Sequence, residues 1–306
     1  ITAGRLTGNA NYNGGGQNWL CLHPNPEFNE AAGWEAFDRL QENGGGEDGW
    51  QAYIYRAEYY PYTSSDNERR REFPAFHKVE YQDIPCSICR LPKDRRHSYV
   101  LPGSTTCSES HTTEYSGYLM SARSGQERAD YMCIDKQPQA LPQGSGYSGD
   151  GSQITFVEAH SSLPGYIRDR ETTCSVCSIP ISGEFAGSPY IRSGRQECGD
   201  GGKLLFRGSL ASSYDTGGGS SPLCMTSVPT YLNYTYDDRD SATIVPMEYH
   251  PDTSNYANVL EDVYYTEVPC AYCISKPEVT GPVISIPGSN TCPLGFTKAY
   301  KGQLWS

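Results

Sequence analysis

The twelve cysteines of this chain follow one pattern that occurs three times, and this pattern restricts the fold more than any other feature. Each set contains a single cysteine, a C-x-x-C motif and a second single cysteine, in that order. The three sets are Cys21, Cys86, Cys89 and Cys107; Cys133, Cys174, Cys177 and Cys198; and Cys224, Cys270, Cys273 and Cys292. An even number of patterned cysteines predicts a disulfide framework made in an oxidising compartment. The repetition predicts three structural units.

A short sequence that begins with glycine recurs after the last cysteine of each set. A G-x-L sequence follows it by ten residues, at Gly117, Gly208 and Gly302, and a further copy begins at Gly4. The N-terminus therefore begins where the C-terminus stops. We predict one compact unit over residues 1–306, made of three pseudo-repeats at about 1–117, 118–208 and 209–306. The N-terminal segment completes the last repeat, so the body is closed and the termini are adjacent.

The predicted fold class is all-β. The chain has 32 Gly, 21 Pro and 24 Tyr, and no segment has a strong helical periodicity. This composition is typical of many short strands joined by turns. A strand-like sequence, Ile followed four residues later by Glu, occurs at 54–58, 154–158 and 244–248, between the first cysteine and the C-x-x-C of each set.

Composition also indicates the compartment. The chain begins Ile1-Thr2-Ala3, without Met, and has no apolar stretch long enough to span a bilayer. We expect a processed, secreted protein that does not act at a membrane. A net charge of −12 argues against nucleic acid as a partner. The basic run at 69–71 is expected to be solvated. The sequon at Asn233 predicts a glycan.

Two disulfide schemes respect the threefold pattern. One joins Cys107–Cys133, Cys198–Cys224 and Cys292–Cys21 and closes each C-x-x-C on itself. The other joins neighbours in order, as Cys21–Cys86, Cys89–Cys107, Cys133–Cys174, Cys177–Cys198, Cys224–Cys270 and Cys273–Cys292. The second is favoured, because an extended C-x-x-C directs its two side chains to opposite faces. We expect no metal, since the motifs lack the spacing of a zinc site, and no thioredoxin-like redox centre, since no βαβ unit is visible.

The candidate chemical residues lie on the Ile-to-Glu strands. His160 stands two residues after Glu158, and His250 stands two residues after Glu248. Side chains at i and i+2 of a strand share a face, so each Glu–His pair could hold a proton or a ligand. The plainer interpretation is that Glu58, Glu158 and Glu248 are surface carboxylates. No nucleotide or flavin motif is present, which predicts chemistry without an organic cofactor.

Several segments in order resemble a known family. They are the stretches around Asp83–Cys89, Val100–Cys107, Tyr115–Met120, Tyr131–Asp135 and His160–Cys177, followed by Tyr190–Gly194. Together they are similar to the cysteine-rich extracellular module of marine-invertebrate short-chain collagen C4-like proteins. The chain has no Gly-X-Y triplets, so no collagen stalk is implied. The family has a further cysteine pair where this chain has His160 and Gly165, which directs attention to His160.

Within that family the chain is similar to the secreted luciferases of syllid fireworms. This resemblance implies oxidation of a small heterocyclic luciferin by O₂, with light emission and no cofactor. It also implies an aromatic, water-poor pocket and a base, for which His160, His250, Glu158 and Glu248 are the candidates. The alternative is a lectin-like binding protein, in which aromatic rings stack on a glycan and carboxylates hold its hydroxyls or calcium.

Overall fold

A computed structural model of the chain describes residues 2–8, 18–27, 55–61, 67–123, 130–141, 152–160, 162–199, 201–214, 220–235, 242–250, 263 and 265–302. It contains two short helices, α1 (Asn67–Glu72) and α2 (Pro74–His77). The strands are β1 (Thr2–Gly8), β2 (Leu20–Leu22), β3 (Tyr55–Tyr59), β4 (Pro85–Ile88), β5 (Arg95–Pro102), β6 (Thr112–Ala122), β7 (Met132–Asp135), β8 (Ser152–Ala159), β9 (Thr173–Pro180), β10 (Pro189–Ser193), β11 (Lys203–Ser212), β12 (Leu223–Thr226), β13 (Ala242–Pro246) and β14 (Pro269–Ile274). Neither helix has the length and apolar character needed to cross a membrane.

The strands pair into one fourteen-stranded sheet, so the prediction of a β fold stapled by disulfides is confirmed. The longest path through the sheet runs β10-β14-β11-β13-β8-β3-β1-β2, and the other strands branch from it. Among the described residues this sheet is open, and no strand joins its two ends. The predicted closure is therefore not formed by these strands. Ile1 and residues 303–306 lie outside the described part, so adjacency of the termini stays a prediction.

The glycines of the G-x-L segments lie opposite the C-x-x-C strands. Gly4 pairs with Cys86, Gly117 with Cys174, and Gly208 with Cys270. On the other side of the same strands, Leu6, Leu119 and Leu210 pair with Cys21, Cys133 and Cys224. The glycine is required by close packing, because a Cβ on Gly117 would stand 1.8 Å from the carbonyl oxygen of Ile134.

Substitution of Gly117 by alanine is expected to lower the free energy of unfolding by about 1–3 kcal/mol, because the new methyl group forces β6 away from β7. Gly281→Ala is the matched control, since an added Cβ there has no neighbour within 4 Å. The control is expected to stay within about 0.5 kcal/mol of the parent in urea unfolding. Equal losses in the two variants would contradict the packing explanation.

The three Ile-to-Glu segments become the parallel strands β3, β8 and β13. Ala57 pairs with Ser152, and Val157 pairs with Ala242, so each strand contacts the next over its last residues. Every residue of β8 is buried, as expected for a strand covered on both faces. Ile54 lies outside the described residues.

The disulfides follow two rules. The first cysteine of each C-x-x-C pairs with the preceding single cysteine, as Cys21–Cys86, Cys133–Cys174 and Cys224–Cys270. The second pairs with the cysteine that ends the turn before the glycine strand, as Cys107–Cys177 and Cys198–Cys273. Cys89 and Cys292 are free and exposed.

This pairing differs from both schemes drawn from the sequence. No C-x-x-C is closed on itself, and only three pairs of the sequential scheme are present. The pairs Cys89–Cys107, Cys177–Cys198 and Cys273–Cys292 of that scheme are absent. The reason is the sheet: Tyr99 on β5 pairs with Cys177 on β9, so the turn that follows β5 brings Cys107 to the second cysteine of the following C-x-x-C.

Candidate functional site

A shallow cleft of about 200 Å³ opens between β5 and the neighbouring strands β11 and β12. The rings of Tyr99 and Phe206 are among its walls. Hydroxyl groups line much of the remainder, from Ser104, Thr106, Ser108 and Thr226. The Cys107–Cys177 disulfide anchors the turn that carries three of these hydroxyls. Apolar ring faces beside a few hydroxyls form the kind of surface that binds small ring compounds.

An aromatic cluster supports the cleft. The ring of Tyr272 lies 5.2 Å from that of Tyr99 and 5.1 Å from that of Phe206. Behind them, Nδ1 of His111 lies 2.8 Å from the Tyr99 hydroxyl oxygen, and Nε2 lies 3.2 Å from the carbonyl oxygen of Phe185. A carbonyl oxygen only accepts, so Nε2 carries the proton. In the neutral ring, Nδ1 therefore accepts the hydrogen bond that Tyr99 donates.

Burial keeps both members of this pair uncharged. It raises the pKa of Tyr99 well above its ordinary value, and the neighbouring Tyr272 adds to the effect. Burial lowers the pKa of His111 below its ordinary value of 6.5, an effect opposed by the hydrogen bond to Phe185. The cleft wall is thus connected to a neutral imidazole with a lone pair directed at the Tyr99 hydroxyl.

The lowered pKa of His111 predicts a pH-dependent stability. Below about pH 6.5, His111 binds a proton in the unfolded chain but stays neutral in the folded chain. The contribution of neutral His111 to the free energy of unfolding is therefore fully present above about pH 6.5 and is lost as the pH falls. We expect the urea midpoint to fall between pH 7 and pH 5, and to fall less in His111→Gln. His250→Gln, at an exposed position, is the control and should keep the parent slope. Identical slopes in all three proteins would contradict the assignment.

The four residues predicted from the sequence do not line this cleft. Glu158 is buried on β8, and its carboxylate binds the guanidinium of Arg69. His160 is half-buried after the strand, with Nδ1 3.2 Å from Ser162 Oγ. The strand places Glu158 in an ion pair with a residue outside the predicted set.

Glu248 and His250 are exposed. The His250 ring lies 5.8 Å from the ring of Tyr265. The plainer interpretation, a surface carboxylate, therefore describes Glu248, whereas Glu58 and Glu158 are buried. The different settings follow from the strands: β8 is covered on both faces, while Glu248 lies beyond the end of β13.

Each of the three strand glutamates faces a second acidic residue, which was not identified from the sequence. Backbone bridges join Glu58 to Asp83, Glu158 to Glu171, and Glu248 to Glu267. In each case the second residue stands three positions before a C-x-x-C. Buried carboxylates require compensating charge or hydrogen bonds, and the first two pairs have arginines beside them.

Arg69 on α1 neutralises the second pair. It is buried, and it contacts Glu158 through Nη2 and Glu171 Oε1 through Nε at 3.1 Å. The Thr235 backbone N–H and hydroxyl each donate to Glu171 at 2.7 Å. The prediction that this basic run is solvated is thus wrong at Arg69. This cluster is internally satisfied and has the character of a structural ion network.

Arg56 and Arg5 serve the first pair. Arg56 Nε lies 3.1 Å from Glu58 Oε1 and 3.6 Å from Asp83 Oδ1, and Arg5 Nε lies 3.4 Å from Asp83 Oδ2. Both arginines are partly exposed while the carboxylates are buried. The negative charges of Glu58 and Asp83 are therefore neutralised by arginines that reach them from the solvent side. Among the described residues, no group of three or more His, Cys, Asp or Glu side chains could hold a metal ion.

The sequon around Asn233 is half covered. Asn233 is exposed and donates from Nδ2 to the carbonyl oxygen of Glu72 at 2.8 Å, whereas Thr235 is fully buried on Glu171. A transferase that needs the threonine hydroxyl cannot reach it in the folded chain. Glycosylation at Asn233 stays a prediction, and it would have to precede folding.

Tyr99 and His111 were not identified from the sequence. His111 has no counterpart in the other two repeats, and only the fold places it behind β5. No protein-family model and no curated protein matches this chain.

Proposed function

We propose that the chain is a luciferase-type oxidoreductase that oxidises a small heterocyclic luciferin with O₂, without a cofactor, and emits light. The observation that carries this proposal is the position of Tyr99. It lines the aromatic cleft, and its hydroxyl donates to a neutral, buried imidazole. The choice of reaction comes from the resemblance to fireworm luciferases.

Oxidation by O₂ without a cofactor begins with removal of a proton from the substrate. A substrate C–H proton passes to the Tyr99 oxygen as the Tyr99 proton moves to Nδ1 of His111, and the electron pair stays on the substrate carbon. That pair forms a C–O bond to O₂ and leaves a peroxide anion on the substrate, which takes back the proton from the imidazolium through Tyr99. The imidazolium is desolvated, so His111 is a weak base, and the reaction needs an acidic substrate proton.

The size of the cleft limits the substrate. Its volume of about 200 Å³ is below the roughly 300–1,000 Å³ of enclosed ligand pockets. A single small ring system fits between Tyr99 and Phe206, with the rest of the molecule outside. This geometry favours a compact luciferin over a large, multiply substituted one.

The test adds purified protein to a fireworm-type luciferin in air and records light. We expect emission from the parent, and a reduction of about 10²–10⁴ in initial rate in His111→Phe and Tyr99→Phe if the pair is the base. His160→Ala and His250→Ala are matched controls and should retain parental rates. Thermal unfolding shows whether each variant is folded. If the parent emits no light, the luciferase proposal is wrong. If only His160→Ala loses light emission, the base is His160 and not the Tyr99–His111 pair.

The second candidate is non-enzymatic glycan binding, and the same cleft supplies its supporting observation. Two aromatic rings beside four hydroxyls, in a shallow and open site, suit one sugar ring. A glycan array distinguishes the two functions. Binding that Phe206→Ala abolishes, from a protein that stays dark with luciferin, would favour this candidate. If chelation of calcium abolishes glycan binding, calcium takes part in holding the glycan.

We also propose that the chain is secreted and is built from three pseudo-repeats. Five disulfides support an oxidising compartment. The repeats are supported by the shared register of Gly4, Gly117 and Gly208 against the first cysteine of each C-x-x-C. The boundaries at about 117 and 208 fall within β6 and β11, so each repeat begins inside a glycine strand.

A further inference from the structure

Among the described residues, the strand β4 has a free edge where its two counterparts have none. The counterparts are the other C-x-x-C strands: β9 lies between β5 and β6, and β14 lies between β10 and β11. In the described part of the chain β4 pairs only with β1. The effect is visible at Ile88, whose side chain is 60% exposed, against 9% for Tyr272 at the corresponding place in β14. Cys89, one residue further on, is a free and exposed thiol.

The two complete cases obey one rule. A strand pairs with the outer edge so that a tyrosine lies opposite the second cysteine: Tyr99 opposite Cys177, and Tyr190 opposite Cys273. The strand ends at a glycine with positive φ, and four residues after that glycine comes the cysteine that bonds to that same second cysteine.

The C-terminal segment carries a third copy of this arrangement. Gly288 has φ of 81°, matching 81° at Gly103 and 76° at Gly194, and Cys292 follows it by four residues. The turn is also alike in its hydrogen bonds. Ser289 Oγ donates to the Thr291 carbonyl oxygen at 3.0 Å, as Ser104 Oγ donates to that of Thr106 at 2.8 Å. The turn before Cys292 thus already has the conformation of the turn before Cys107.

The strand-forming residues ahead of that turn have no sheet around them in the described structure. Val283 is 52% exposed and Ile284 is 50% exposed, whereas Tyr99, which corresponds to Ile284, is 6% exposed. A β-branched segment and a β edge that both lack a strand partner in the described part of the chain are complementary.

We infer that residues 284–287 pair antiparallel with the free edge of β4 and that Cys292 forms a disulfide with Cys89. The register of the two complete cases places Ile284 opposite Cys89 and Pro287 opposite Cys86. Two thiols lose two protons and two electrons to become one disulfide. The oxidant is a disulfide of the protein-oxidoreductase or glutathione class, which is reduced to two thiols.

The strand that fills the edge comes from the same chain. In the described part of the chain, β4 is the C-x-x-C strand that lacks an outer partner, and the segment before Gly288 lacks a sheet partner. Cys89 and Cys292 are the two free thiols, so one intramolecular bond satisfies both. A tethered strand has an effective concentration in the millimolar range, far above that of a second copy in dilute solution. The product is a sixth disulfide, which joins the C-terminal segment to the end of β4.

Peptide mapping without reduction tests this bond. The oxidised 306-residue protein is isolated as a monomer, its thiols are alkylated in denaturant, and it is digested with trypsin and with a glutamate-specific protease. The second protease is needed because trypsin does not cut Lys276–Pro277, whereas cleavage after Glu278 separates Cys292 from Cys270 and Cys273. We expect no alkylated cysteine, and a cluster in which the peptide with Cys86 and Cys89 carries both the Cys21 peptide and the Cys292 peptide. Alkylation of Cys89 and Cys292, or a Cys292 link found only in covalent dimers, would overturn the inference.

Two variants show which cysteine of the Cys86–Cys89 peptide is bonded to Cys292. Cys89→Ser should release the Cys292 peptide, now alkylated, and keep Cys21 joined to Cys86. Cys292→Ser should leave Cys89 alkylated. The backbone amides of residues 284–286 that face β4 should exchange with solvent at least tenfold more slowly in the parent than in either variant, because they gain strand hydrogen bonds only when docked. Equal exchange in the three proteins would contradict docking on β4.

Discussion

Replacing Arg69 with methionine is expected to lower the free energy of unfolding by about 3–5 kcal/mol, the largest effect we predict for a single side chain. The change leaves Glu158 and Glu171 buried without the guanidinium that contacts both. Two carboxylates without a countercharge, in a site closed to water, either stay charged at high cost or take up protons. The measurement is equilibrium unfolding in urea at pH 7.

The neighbouring arginine is the matched control. Arg70 is partly exposed and pairs with Glu80 at 3.1 Å, so Arg70→Met is expected to cost about 1 kcal/mol or less. The variant Arg69→Met should also regain stability as the pH is lowered toward 5, because protonation removes the unpaired charges. A loss under about 1 kcal/mol, or a loss equal to that of Arg70→Met, would show that Arg69 does not neutralise this pair.

Removing the Cys133–Cys174 disulfide is expected to have an effect of similar size. Its two cysteines are 41 residues apart, and a loop of that length corresponds to about 4 kcal/mol of lost denatured-state entropy. Cys174 is fully buried in the core cluster that includes Leu119 and Val157. The double variant Cys133→Ala/Cys174→Ala is therefore expected to unfold at much lower denaturant concentration than the parent.

The control for this prediction removes the crosslink from both proteins. When unfolding is measured after full reduction in denaturant, the parent also lacks the bond, and the two proteins should differ only by the lost sulfur packing. If the difference stays near 4 kcal/mol after reduction, the effect comes from packing and not from the closed loop.

The sequence was sufficient for the class of fold because that class depends on local patterns. Turn residues, short apolar alternations and patterned cysteines each act within a few residues, and they predicted a stapled β fold. Local patterns did not predict that Gly117 pairs with Cys174, although both residues belong to the repeated pattern. Pairing depends on which strands meet in the sheet, and the chain gives no local signal for that.

The same limit explains the errors in the candidate site. Arg69, Arg70 and Arg71 look equivalent in the sequence, yet on a helix they point about 100° apart, so only one faces Glu158. His111 has no repeated counterpart and becomes notable only because β5 places Tyr99 beside it. The predicted Glu–His pairs follow a correct strand pattern, but tertiary packing gave Glu158 an arginine and left Glu248 in solvent.

The bond made by the second cysteine of each C-x-x-C holds β5 and β10 beside their C-x-x-C strands, and it fixes the turn that lines the cleft. A disulfide map of the unreduced protein tests this pairing most directly. The pairing predicts linked peptides containing Cys107–Cys177 and Cys198–Cys273. Linked peptides containing Cys177–Cys198, with Cys107 bonded to Cys89, would contradict it and would separate the cleft turn from β9.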